Sequence, residues 1–282
     1  MTPQGMLMAR KPASLILLSL SSVGLVGFTL VSHACSSRAV AVYEPLGVLA
    51  VPLNERESGL RVGELLEEGQ LGAESVWATS GRVDRFLRFV SSSETPETVT
   101  RTLSPESDGT LVVELMTETK STATGRNVLE KSEAGEILIV SNVANGIESA
   151  FEPRALFMPA TLLAGEEIVR EIRVSATGPM FGSGEGDGTS TIRGIGSQTI
   201  EVPAGLFEAF VLESELSFSV GPARIVLSQR AWVAKDAGTV GIVAEEGREL
   251  VKVFGIAVHN QSRVSVLSDQ GAAESLQRLG TR

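Results

Sequence analysis

Histidine and cysteine carry much of the proton-transfer, acyl-transfer and transition-metal chemistry of proteins, and this 282-residue chain holds two histidines and one cysteine. His33 and Cys35 lie together near the amino terminus, which leaves His259 as the one histidine downstream. A serine-histidine-carboxylate triad would have to be built on His259. That residue sits in a strand-like run beside Asn260, and no Gly-x-Ser-x-Gly elbow occurs anywhere. Cys-x-x-Cys and His-Glu-x-x-His are also absent. Glu213 and Glu215 stand two apart, so on a strand they share one face with Cα atoms about 6 to 7 Å apart. Glycosidase carboxylates flank a cleft from different elements, among aromatics that stack on sugar, and neither feature is signalled here, so the pair reads as a wet strand face. Glu185 and Asp187, set among glycines in GSGEGDG, offer oxygen ligands of the kind calcium takes but lack the acidic spacing of an EF-hand. The same glycines are not followed by Gly-Lys-Ser/Thr, which excludes a phosphate loop. The chain is therefore expected to hold no catalytic residue, no metal and no cofactor.

The elements that would position any site centre on Thr199 to Val243. Pro203, Ala204 and Gly205 punctuate the chain before a run from Phe207 to Val220. In that run Phe210, Leu212, Leu216, Phe218 and Val220 share one parity, and Glu213, Glu215, Ser217 and Ser219 share the other. This two-residue period predicts a strand with one face on a core and one toward water. Trp232 lies on the strand that follows. The expected apolar face, and the expected ligand surface if one exists, is Phe207, Phe210, Leu212, Leu216, Phe218 and Trp232.

Elsewhere the signals are those of a strand meander. Val83 to Val90, Thr110 to Glu118, Arg126 to Val140, Ile168 to Val174, Arg224 to Ala234, Val240 to Glu245 and Leu250 to Val258 read as strands. Turns are expected at Pro105 to Gly109, at Glu133 to Glu136, where it interrupts the Arg126 to Val140 run, at Lys235 to Gly238 and at Glu245-Glu246-Gly247. Leu60 to Leu71, with Leu65 and Leu66 beside Glu64, Glu67 and Glu68, suggests one or two helical turns. Pro153 and Pro159 are too close together for a regular helix, so Phe151 to Leu163 is expected as an extended arm over apolar surface. Glycine-rich Gly178 to Ser190 is expected as a mobile loop.

The amino terminus carries a different message. Arg10 and Lys11 precede a stretch, Ala13 to Ala34, without Asp, Glu, Lys or Arg, and Ser32 and Ala34 occupy the small positions of a cleavage site. This is the layout of an export signal, and its length also suits an uncleaved membrane anchor. Cys35, directly after it, is placed where a lipoprotein signal puts the lipid-bearing cysteine, although Ser32-His33-Ala34 replaces the Leu-first triplet of that pattern. Lipidation, ordinary cleavage and an anchor helix all remain open. The organisation expected is a leader at 1–34, a linker or edge segment at 35–58 containing Pro45 and Pro52, a β-domain at 59–267 and a polar tail at 268–282. A formal net charge of -10 opposes phosphate backbones and argues against nucleic acid as a partner.

The segment from Ile200 to Glu215 and that from Arg230 to Val243 resemble a signature of bacterial exported β-domains of unknown function, the TapB-like proteins. The matching positions are Val202, Pro203, Ala204, Gly205, Phe207, Ala209, Trp232, Gly238, Val240, Gly241 and Val243. More distantly the chain is similar to the lipoprotein-localisation carriers. The resemblance implies a curved antiparallel sheet around an apolar concavity in the cell envelope or periplasm, and it carries no catalytic residue across. The expectation is thus a mainly β protein, a curved half-barrel-like meander behind an amino-terminal apolar signal or anchor helix, exported and held at a membrane through a lipid or that anchor. Its leading role would be non-enzymatic, with a lipid or other apolar group held in the concavity. A structural or protein-partner-binding module of the envelope is the alternative, and a hydrolase using His259 or Glu213 is the third reading.

Overall fold

The structure is a computed structural model that describes residues 59–74, 82–93, 95–118, 123–144, 147–178, 182–235, 237 and 239–270. The leader, Cys35, the 35–58 segment and the chain beyond 270 lie outside the described residues. Two short strands come first, β1 (Arg61–Leu66) and β2 (Gln70–Gly72). An up-and-down run follows: β3 (Val83–Val90), β4 (Glu97–Pro105), β5 (Leu111–Thr117), β6 (Gly125–Lys131), β7 (Ile137–Ala144) and β8 (Ile147–Met158). After β9 (Thr161–Leu163) the strands lengthen as β10 (Glu167–Gly178), β11 (Gly182–Val202), β12 (Gly205–Val220), β13 (Ala223–Val233), β14 (Ile242–Val253) and β15 (Ile256–Gln270).

Neighbouring strands pair antiparallel in the order β1-β11-β10-β8-β7-β6-β5-β4-β3-β15-β14-β13-β12, and β12 pairs back onto β11. The expected curved meander is therefore present, and it goes on to close. Closure leaves a ring without edges along most of its length. β1 stays outside the ring, taking up the end of β11 that β10 has left: Arg61 to Leu66 pair with Ser197 to Glu201, whereas β10 reaches only Arg193. β2 and β9 form a separate two-stranded sheet whose Leu71 and Leu162 join the inner core with Leu103, Leu111 and Leu129, and the end of the ring where they lie is the lid end. The opposite end carries the β12–β13 and β14–β15 hairpin turns and is the tip end.

Register assigns the faces. Phe210, Leu212, Leu216 and Phe218 lie opposite Val233, Ala231, Leu227 and Ile225, and the same face continues into Glu245, Glu249 and Val251 of β14. These side chains point into the ring. Its opposite walls touch: Leu103, Leu111 and Leu129 share one core with Leu212, Ala231 and Val233, while Phe151 and Val174 share another with Ile225 and Val251. The ring is thus packed across its middle like a sandwich. A second layer lies outside the wall. Outward-facing Trp232, Ala244, Val264 and Val266 pack with Leu60, Val62, Ile200, Val202 and Val211, and the Ala204 N–H donates to the Leu267 carbonyl at 3.1 Å.

Several local expectations are overturned, each for a physical reason. Leu60 to Leu71 forms β1 and β2, because pairing with β11 and β9 outweighs a weak helical preference. Phe151 to Leu163 is not an arm but β8 and β9. Pro153 is tolerated there because it sits where the β7–β8 register shifts and past the last β10 partner, Glu152, so no ladder bond needs its missing N–H. The glycine segment is strand from Gly182 onward. Gly186 and Gly188 face inward where β12 crosses so closely that a Cβ would overlap the Ser219 and Ser217 carbonyl oxygens, while Glu185 and Asp187 are exposed. Glu245-Glu246-Gly247 is no turn but the middle of β14, and the turn falls instead at Phe254-Gly255. Val202 and Gly205 pair directly, so the Val-Pro-Ala-Gly unit is a tight hairpin turn between β11 and β12. β15 runs to Gln270, three residues into the segment expected as tail.

Candidate functional site

The expected apolar face divides in two. Phe210, Leu212 and Phe218 are buried inside the ring, with Leu216 half-buried beside them. Phe207 and Trp232 face the other way, into the outer layer. Trp232 is fully buried, and its indole N–H donates to Gln198 Oε1 at 2.8 Å. The Gln198 Nε2 in turn donates to the Gly63 carbonyl at 2.7 Å, linking β13 to β1 through β11. Trp232 is an anchor between layers and does not share a surface with Phe210.

The interior is lined unevenly. Most of it is apolar, but β3, β4, β14 and β15 turn charged side chains inward. Arg101 Nη2 donates to Glu245 Oε1 at 2.6 Å, with its guanidinium carbon 4.5 Å from the centroid of the Phe86 ring. Arg263 Nη1 stands 3.5 Å from Glu249 Oε2, and Arg88 Nε donates to Glu97 Oε1 at 2.7 Å. Glu245 and Glu249 are almost wholly buried. Burial pushes the Glu245 carboxyl up to about 7 against the pull of Arg101, and pushes that of Glu249 up to about 7 against Arg263. Burial also lowers the Arg263 guanidinium. His259 is lowered as well, first by burial and then by the nearby positive charge of Arg263.

Carboxyls poised near neutrality are the usual material of proton transfer, yet buried ion-pair networks shift pKa values in the same way. The internal cavity near Arg263, Gln229, Ser214 and Ser190 has a volume of about 100 Å³. Ligand pockets for small organic molecules run to roughly 300–1,000 Å³. A second hollow of about 380 Å³ opens on the outer side of β11 to β14, lined by Thr191, Arg193, Glu213, Glu215, Ser228 and Arg248 among others, with no apolar residue in its lining. Glu213 and Glu215 both face outward, Glu215 exposed as expected of a wet face and Glu213 half-buried in an ion pair with Arg230. Glu185 and Asp187 also face outward, Asp187 lying 3.4 Å from Arg173, and among the described residues no group of His, Cys, Asp and Glu is arranged to hold a metal.

No family model and no curated protein matches this chain. Solved structures that it resembles include a Bacteroides fragilis protein described as exported and YmcC-like in fold (TM-score 0.41, 12% identity, covering 69% of this chain and 97% of that one). The hypothetical lipoprotein YmcC of Escherichia coli gives a TM-score of 0.37 at 9% identity, covering 67% of this chain and 88% of that one. A lipoprotein candidate from Parabacteroides distasonis gives 0.33 at 12% identity, covering 68% and 96%.

The interior charges were missed by sequence reasoning. Glu245 and Glu249 lie in AEEGREL, whose paired acids and glycine imitate a turn, and Arg101, the partner of Glu245, is 144 residues away in sequence. One signal was available: Glu245, Gly247, Glu249 and Val251 share a parity, as inward residues of one strand must.

Proposed function

We propose that this chain is a non-enzymatic module of the bacterial cell envelope, exported and tethered through its amino terminus, whose closed barrel serves as a rigid body for contact with another envelope component. The observation that carries the reading is the filled interior. Opposite walls pack on one another, Leu71 of β2 and Leu162 of β9 join their core, and the cavity beside Leu212, Leu227 and Arg263 has about 100 Å³, below the range of small-molecule pockets. The apolar leader with Cys35 behind it supports export and tethering. The enclosure of Glu245 and Glu249 beside Arg101 and Arg263 supports a structural role for these buried charges. The outer hollow, with Arg193 and Arg248 beside Glu213 and Glu215, offers a charged surface that a polar partner can meet. In-cell photocrosslinking from a probe at Glu215 or Arg248 should capture one dominant protein. Labelling spread evenly over abundant envelope proteins would contradict the reading.

A further inference from the structure

The tip end carries a feature that the barrel itself does not use. Phe254 is 83% exposed and adopts φ +49°, and Gly255 follows at +80°. Two successive residues with positive φ suit Asn-Gly or Gly-Gly in a two-residue hairpin turn, and a bulky aromatic at the first place is out of character. The same hairpin exposes Ile256 (70%) and Val258 (47%). The Phe254 N–H donates to the Pro222 carbonyl at 3.1 Å, which joins this tip to the exposed Gly221-Pro222 turn of the neighbouring hairpin. A strained backbone that turns apolar side chains away from the core marks a surface made for something outside the chain.

Charge selects the occupant. The chain as a whole is at -10, yet residues 219–228 and 250–264, which form these two tips and their approaches, contain no Asp or Glu. Arg224 and Lys252 are both exposed and lie directly opposite one another on the outward face, just behind the apolar turn. An apolar tip with a cationic pair behind it, on an otherwise acidic body, matches the cross-section of an anionic bilayer: acyl chains first, then headgroups. We propose that the β12–β13 and β14–β15 tips insert into the surface of an anionic lipid bilayer, with Phe254 and Ile256 below the headgroups and Arg224 and Lys252 among them. This contact is separate from the amino-terminal tether, and the two are geometrically compatible. Gly59 sits beside Pro203 at the lid end. Residues 35 to 59 can reach about 80 Å when extended, whereas the twelve residues of β14 span about 40 Å.

The test uses the full chain with Phe254→Trp, read against the parent chain so that the native tryptophans and any binding through the leader are common to both. Vesicles of phosphatidylglycerol with brominated acyl chains should quench the residue-254 emission and shift it to the blue. Phosphatidylcholine vesicles should do so far less. Adding Arg224→Glu and Lys252→Glu should raise the lipid needed for half-quenching by ~10-fold or more, as should ~0.5 M salt. The proposal is overturned if the emission at 254 stays that of indole in water while the chain sediments with vesicles through its leader. Quenching indifferent to lipid charge and to the Glu substitutions would also overturn it. So would a cysteine at Ile256→Cys that crosslinks two copies in place of contacting lipid.

Discussion

Trp232 and Gln198 join the outer layer to the barrel wall through one donated hydrogen bond in a buried site. Trp232→Phe keeps most of the apolar volume but leaves the Gln198 side-chain oxygen without that donor, so the chain should lose about 1–3 kcal/mol of stability in urea unfolding. An unchanged midpoint would deny the bond any importance. Glu245 and Glu249 make a second prediction at this scale. A carboxyl whose folded pKa exceeds its unfolded value, here about 7 against 4.5, holds its proton more tightly in the folded chain. Its contribution favours folding fully below the unfolded value and is lost as pH rises through the folded one. The melting temperature should therefore fall between about pH 5 and about pH 8, and Glu249→Gln should flatten that slope. A melting temperature that climbs over this interval would contradict the placement of both carboxyls.

Among the elements, β11 decides whether the ring closes, because it alone pairs with β10, β12 and β1. Its inward glycines allow β12 to cross at backbone contact. Gly186→Ala should cost at least about 3 kcal/mol, because the new methyl meets the Ser219 carbonyl rather than a flexible side chain. Glu185→Ala, one residue away and exposed, should stay within about 0.5 kcal/mol. Equal effects in a thermal melt would show that the crossing is looser than described. This strand also marks the limit of what the residues disclose. Alternation from Phe207 to Val220 was readable because burial on one side leaves a two-residue period. The alternation of glycine with acid in GSGEGDG has the same period. It was hidden because glycine usually signals freedom, and its value here lies in a neighbour that only the closed ring supplies. Phe254 was hidden for the opposite reason, since no turn rule assigns an aromatic to positive φ.

At the scale of the whole molecule, curvature was legible and closure was not. Each strand announces its dry and wet sides, but how far a sheet curls depends on pairings between β11 and β12 at one seam and β3 and β15 at another, the latter far apart in sequence. The same gap explains why the concavity was expected to hold a ligand: alternation shows that a face is dry, not what dries it. Here the opposite wall does, together with an enclosed stripe of arginines and glutamates. The reading of a rigid module rests on that filling, and the lipid content of the chain tests it most directly. Organic extraction and native mass spectrometry of the protein purified from membranes should find the mass of the polypeptide plus whatever Cys35 carries covalently, with no lipid held in stoichiometric amount. One extractable lipid per chain, lost on substituting inward residues such as Phe218→Trp but retained on substituting Phe254→Asn at the tip, would contradict it.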